Sequence, residues 1–181
     1  MNSFETLLDI EHNCRANAVS IPRQIVTERD WIGVGFRASN FNFVCPMDLI
    51  SEILRWPTMA KLPSSASWFK GIANLRGRLL PVTDFQGFVT GTRHKQEPTS
   101  RILVVNIDNA HYGFAVEQVL GIERFFSEEA KVSEEISDIG EYLAYSKKAF
   151  ERDSEPWIVV DFESLIEEAK FYHILSAKME I

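Results

Sequence analysis

Between Trp68 and Phe85 the chain reads WFKGIANLRGRLLPVTDF, two apolar runs on either side of Arg76-Gly77-Arg78. That arrangement admits a β-hairpin and little else. Glycine reaches the positive φ of a tight turn without steric cost, and the residues of Phe69 to Leu75 and Leu79 to Val82 suit paired strands. The hairpin therefore carries two guanidinium groups at its tip. Pro81 has no N–H to give to a ladder, so the second strand is expected to have one unpaired edge there. Asp84 stands where a helix N-cap belongs, ahead of Phe85-Gln86-Gly87-Phe88-Val89.

The flanking sequence continues in the same style. Trp31 to Ala38, a Ser39-Asn40 turn, Phe41 to Pro46 and Met47 to Trp56 read as short strands with period-two alternation, the pattern of an antiparallel barrel or sandwich. Pro57 to Ser67 is a loop with room for one helical turn after Pro63. A second round follows the hairpin. RILVVNI, the Asp108-Asn109 turn and YGFAVEQVLGIERF repeat the layout of Trp31 to Ile53. PWIVVDFESLI repeats the strand, Asp-Phe and short helix of RLLPVTDFQGFV, which makes Asp161 the counterpart of Asp84 and both of them N-caps rather than catalytic acids. This similarity predicts two related β subdomains, residues 31–95 and 96–162, with TRHKQEPTS at 92–100 as the crossing. Glu128 to Gly140 reads as an acidic exposed loop with a short helix. Within an extension of residues 1–30, Ser3 caps a helix over 4–18 that places Phe4, Leu7, Leu8, Cys14 and Ala18 on one face. Residues 163–181 read as a C-terminal helix and tail, with Leu165, Ile166, Ala169 and Tyr172 at helical spacing.

Composition narrows the function. A chain of 181 residues that is 45% hydrophobic can bury a real core. Its net charge of -7, with no basic run longer than Lys147-Lys148, opposes binding to nucleic acid. Cys14 and Cys45 form no C-x-x-C pair and read as reduced cytosolic thiols. The amino terminus is acidic where a signal peptide is basic, and no apolar stretch approaches the roughly 20 residues of a membrane span, so a cytoplasmic protein without membrane insertion is expected. Gly33-Val34-Gly35-Phe36-Arg37-Ala38 fits a dinucleotide fingerprint, but its glycines lie inside an alternating strand rather than at a strand-to-helix turn. The four histidines, His12, His94, His111 and His173, are scattered and suit exposed or capping roles better than zinc. Glu128-Glu129, Glu134-Glu135 and Glu167-Glu168 read as solvated surface. With no nucleophile elbow, phosphate loop or kinase signature, no catalytic residue, metal ligand or cofactor is expected.

Two features rise above this background. Glu52 interrupts the apolar LISEIL, and it pairs with Arg76 across the surface if the first subdomain closes, either as a structural ion pair or as a contact that awaits a partner. Trp56, Met59, Trp68, Phe69 and Phe88 lie in loops or at strand ends, as core residues or as a contiguous binding patch.

The run from Trp68 to Gly77, with Leu80-Pro81-Val82 and Asp84-Phe85, resembles the signature of CheW-type coupling proteins of bacterial chemosensory arrays. Glu52-Ile53 and Tyr112 to Val119 extend the resemblance, which covers about Trp31 to Leu165. It implies a mainly β fold of two SH3-like five-stranded barrels over residues 31–170, with helices at both ends, and an adaptor rather than an enzyme. Such proteins bridge the cytoplasmic tip of a methyl-accepting receptor, held in a groove between the barrels, and the regulatory domain of a CheA-type histidine kinase, paired barrel to barrel. By position, Ile50, Glu52, Gly71, Arg76, Gly77, Ile102 and Leu103 match family positions implicated in partner binding. The chain departs from the common pattern at Val116-Glu117, where Val-Asp is frequent, at Asp84-Phe85, where Asp-Leu is common, and in its N-terminal extension. That extension, with GRLLPVTDFQGFVTG and PMDLISEIL, resembles the adaptors of type IV pilus systems and implies twitching motility. A flagellar adaptor is the nearer alternative. A small-ligand enzyme using the inter-barrel cleft is the alternative of another class, and it needs titratable groups converging in a pocket.

Overall fold

Runs such as RILVVNI leave no polar face, so a strand made from them must be buried on both sides. The fold supplies two cores to each such strand. The computed structural model describes residues 30–63, 65–131, 140–146 and 148–168. One sheet contains β1 (Asp30–Ala38), β2 (Phe41–Pro46), β9 (Gln118–Phe126), β10 (Ala130–Lys131), β11 (Lys148–Arg152) and β12 (Glu155–Val159), in the order β10-β11-β12-β2-β1-β9. The other contains β3 (Ile50–Arg55), β4 (Met59–Ala60), β5 (Phe69–Leu75), β6 (Arg78–Asp84), β7 (Arg101–Ile107) and β8 (Ala110–Val116), in the order β3-β7-β8-β6-β5-β4. Each sheet thus has five full strands and a sixth of two residues, which suits two SH3-like five-stranded units.

The expected division at residues 95 and 96 does not separate the sheets. The β1–β2 hairpin pairs with β9, antiparallel, and with β12, where Trp157–Val159 runs parallel to Asn42–Val44. The β7–β8 hairpin pairs with β3 and β6. Each sheet draws on both halves of the chain. Local repetition reports alternation and turn chemistry, and these are alike whichever sheet a strand joins.

Successive side chains show the double burial. On β7, Leu103 and Val105 point into a core shared by the two sheets, while Ile102 and Val104 point inside the curl of their own sheet with Ala73, Leu80 and Val82. On β2, Phe43 and Cys45 enter the shared core, and Val44 joins Phe125 and Phe150 inside the first sheet. The shared core is mostly aromatic. Phe36 stacks on Phe43 with centroids 5.4 Å apart, Phe85 meets both edge-on, and Phe114 lies 4.6 Å from Phe162.

Two short helices, α1 (Phe85–Thr90) and α2 (Phe162–Glu167), cap this core. Both begin at the expected aspartates. Asp84 accepts from Gly87 N at 3.1 Å and Asp161 from Ser164 N at 3.0 Å. The expected helix over 4–18, and the part of the C-terminal helix beyond Glu168, lie outside the described residues. Trp56, Met59, Trp68, Phe69 and Phe88 are all buried or half-buried against the cores, so they line walls rather than a binding patch.

Cys45 is a free thiol within the shared core, and burial pushes its ionisation far above the usual range, with Asp48 acting in the same direction. It should resist alkylation until the protein unfolds. Thr83 Oγ1 is buried with no hydrogen-bond partner among the described residues. Removing that orphaned hydroxyl should be neutral or stabilising, by up to about 1 kcal/mol, and a urea titration of Thr83→Val measures it.

Candidate functional site

The hairpin turn has Arg76 at φ 52° and Gly77 at φ 85°, two consecutive positive values that mark a twisted two-residue hairpin loop. Asn74 Oδ1 accepts from Gly77 N at 2.7 Å and locks it. From this tip Arg76 Nη2 reaches Glu52 Oε1 on β3 at 2.5 Å. β3 stands at one edge of its sheet and β5 next to the other, so the ion pair ties together opposite ends of a curled sheet. A bulge between Ile50 and Glu52 shifts the β3 register, and Glu52 lies opposite Val104. Ser51 Oγ donates to Val104 O at 3.1 Å. With its side chain 82% exposed, Arg76 adds little stability through this pair and chiefly fixes where the tip sits.

Beside the pair is a groove of about 380 Å³ lined by Glu52, Leu75, Arg78, Leu79 and His111 among others. It continues between β6 and β8 as an open depression of about 790 Å³. The cause is Pro81. β6 pairs with β8 only over Val82–Asp84, and towards the tip the two strands part, which matches the unpaired edge expected from the proline. Leu79, 75% exposed, stands between the guanidinium-bearing Arg76 and Arg78 positions and His111. The surface is therefore apolar at its centre and cationic at its rim, with one carboxylate.

The residues named from the resemblance separate by position. Glu52 and Arg76 meet at the groove, and Gly77 shapes the turn that carries Arg76. Ile50 is half-buried at the start of β3 and packs against the shared core. Gly71 is buried at φ 139°, where a Cβ would lie 2.5 Å from Ala60 O, so it lets β4 close on β5 rather than offering a contact. Ile102 and Leu103 are fully buried on opposite faces of β7. An apolar run in sequence cannot show that both of its faces are covered.

Polar residues that the sequence reading gave only local roles are joined into a network by the fold. Asp84 has a fully buried side chain that receives Lys70 Nζ at 2.7 Å and His94 N at 2.9 Å besides capping α1. The His94 ring, 6% exposed, is buried rather than surface as expected, hydrogen-bonded to Ser100 Oγ at 2.9 Å and 3.9 Å from Glu117. Glu117 accepts from Ser39 N at 2.8 Å, and its own N–H donates to Arg37 O, so this departure from the family pattern clamps the β1–β2 turn. Ser39 Oγ also meets Tyr142 OH, whose ionisation is pushed up by burial despite that bond. In the first sheet Arg152 of β11 reaches Glu123 at 3.0 Å and Glu129 at 3.1 Å, with its guanidinium 4.2 Å above the Phe125 ring. Between the sheets, where the alternative enzyme reading needs a cleft, the space is filled by Phe36, Phe43, Phe85, Phe114 and Phe162.

Residues 33–170 match the CheW-like domain. The chain belongs to that family. Over 172 residues it is 33% identical to Protein PilI of Pseudomonas aeruginosa, a match covering 94% of this chain and 95% of that protein. It is 26% identical over 122 residues to Chemotaxis protein CheW of Thermotoga maritima, covering 67% of this chain and 78% of the relative. The crystal structure of the scaffolding protein TtCheW from Thermoanaerobacter tengcongensis shares the fold with a TM-score of 0.68 at 20% identity, over 77% of this chain and 94% of that one.

In this CheW-like chain the exposed Glu52–Arg76 pair and the buried Asp84–Lys70 pair should behave oppositely on mutation. A double-mutant cycle of Glu52→Gln and Arg76→Gln should give a coupling below about 1 kcal/mol in unfolding free energy. Asp84→Ala, which strands Lys70 in a largely buried site, should cost about 3–5 kcal/mol in the same urea titrations.

Proposed function

We propose that this chain is a non-catalytic chemosensory adaptor coupling a methyl-accepting receptor to a CheA-type histidine kinase, in a system that controls type IV pilus twitching motility. The observation that carries this reading is the hairpin tip, held in place by Glu52 and Asn74 yet left in solvent, with exposed Leu79 among Arg76, Arg78 and His111. A tip with this makeup suits protein recognition. An apolar anchor supplies affinity, while rim charges choose the partner and its register. Glu52, Arg76 and Gly77 are assigned to partner binding, and Ile50 supports them from the base of β3. The near full-length match to PilI favours the pilus pathway over a flagellar one.

An adaptor works by holding two proteins at once, so its surfaces must stay rigid while its partners change. The packed aromatic core between the sheets suits that role, because it holds the two sheets against each other. Among the described residues no helix is long and apolar enough to cross a membrane. In this proposal the protein reaches the membrane only by joining the cytoplasmic ends of receptor arrays.

Co-elution against kinase regulatory domains from one pilus and one flagellar system tests both levels of the proposal. The pilus kinase should be retained preferentially. Arg76→Glu should weaken assembly by about tenfold or more with an unchanged circular dichroism spectrum. Retention of neither kinase, together with no binding to receptor-tip fragments, would sink the adaptor reading, and preference for the flagellar kinase would reassign the pathway.

A further inference from the structure

A second surface lies on the other sheet. Ile32, Met47, Ile122 and Phe126 are four of the seven large apolar side chains exposed among the described residues, and the register of the first sheet gathers them. Ile32 lies opposite Arg124, while Ile122 pairs with Val34 and Phe126 with Asp30. Ile122 and Phe126 are therefore diagonal neighbours of Ile32 on one face. Met47 directly follows Pro46, the partner of Gly33. This face continues the shared core outward, since Val34 on the same side of β1 is buried in it. β9 is also the last strand of its sheet, and natural edge strands are covered or charged to prevent stray pairing. A patch of this kind calls for an occupant.

We propose that residues 4–18 of this same chain cover the face, laying Phe4, Leu7 and Leu8 against Ile122 and Phe126. The chain enters the sheet at Asp30, whose partner is Phe126, so the segment is tethered at the patch itself. Residues 19–29 reach about 36 Å when extended, ample for a return across β9. The sequence pattern of 4–18 collects Phe4, Leu7, Leu8, Cys14 and Ala18 on one side, a stripe that is stable only against another apolar surface. Its Glu11, three residues after Leu8 and seven after Phe4, falls on the same side and complements Arg124, which stands exposed at the centre of the patch. The tether gives the segment a millimolar effective concentration, so a partner approaching β9 must displace it. This surface is distinct from the hairpin tip and does not depend on what the tip binds.

The chain carries its own probe in Cys14, while Cys45 is buried and silent. Ile122→Cys, treated with a short bismaleimide at low protein concentration, should link to Cys14 within one molecule. The rate should be about tenfold above that of Leu79→Cys, whose site is equally open but on the other sheet. Adding Leu7→Glu should abolish the difference and speed amide hydrogen exchange over residues 122–126. Equal linking rates at the two sites would overturn the proposal. So would linkage found only between two molecules, or protection of 122–126 that arises only when a kinase regulatory domain is added.

Discussion

Asp84 is a carboxylate with no exposure to solvent, and four pieces of the second sheet and its surroundings meet on it. Lys70 comes from β5, Asp84 itself ends β6, Gly87 belongs to α1, and His94 begins the crossing to β7. Burying an ion is costly unless its charge and its lone pairs are all answered, and here an ammonium and two backbone N–H groups answer them. The crossing loop is thereby pinned, and His94 is delivered to Ser100 and to the neighbourhood of Glu117, which in turn holds the β1–β2 turn of the other sheet. One buried charge thus reaches, through a few polar groups, from the base of the hairpin to the opposite barrel.

Both sheets are closed by arginines, but in different media. Arg152 is half-buried, bound to two glutamates, in contact with the Arg124 carbonyl and laid over an aromatic ring, so little of its bonding capacity is left for another molecule. Arg76 closes the other sheet from solvent with one carboxylate, and salt screens such a pair. The same geometric task is met once by a fixed interior bond and once by an exchangeable one. The exchangeable version sits where partner binding is placed.

Much of the fold was legible because it is encoded locally. Asn74-Leu75-Arg76-Gly77 fixed the hairpin, Asp84 and Asp161 marked helix starts by side chains that reach only three residues ahead, and Pro81 marked the place where a strand would lose its neighbour. Sheet membership was not legible. A run like Phe41 to Pro46 states that it is a strand but not that its parallel partner is β12, more than a hundred residues on. The same limit hid Lys70 and Glu117, single polar residues within strands or at a strand end, whose meaning depends on what distant segments bring to them. It also left the burial of Ile102 and Leu103 unread, since positional likeness gives no account of burial.

Strands β1 and β2, nearest the start of the described chain, are completed by β9 and β12, nearest its end, while the second sheet occupies the middle. The first barrel cannot be finished before most of the chain exists, because β1 and β2 wait for β9 and β12, whereas the second is built from the contiguous residues 50–116. Closing so long a loop carries an entropic cost and slows the pairing of the first barrel relative to the second. The consequence is nesting: the second barrel leaves the first after β2 and returns to it at β9, so both of its ends are anchored in the other barrel while the aromatic core packs the two sheets together.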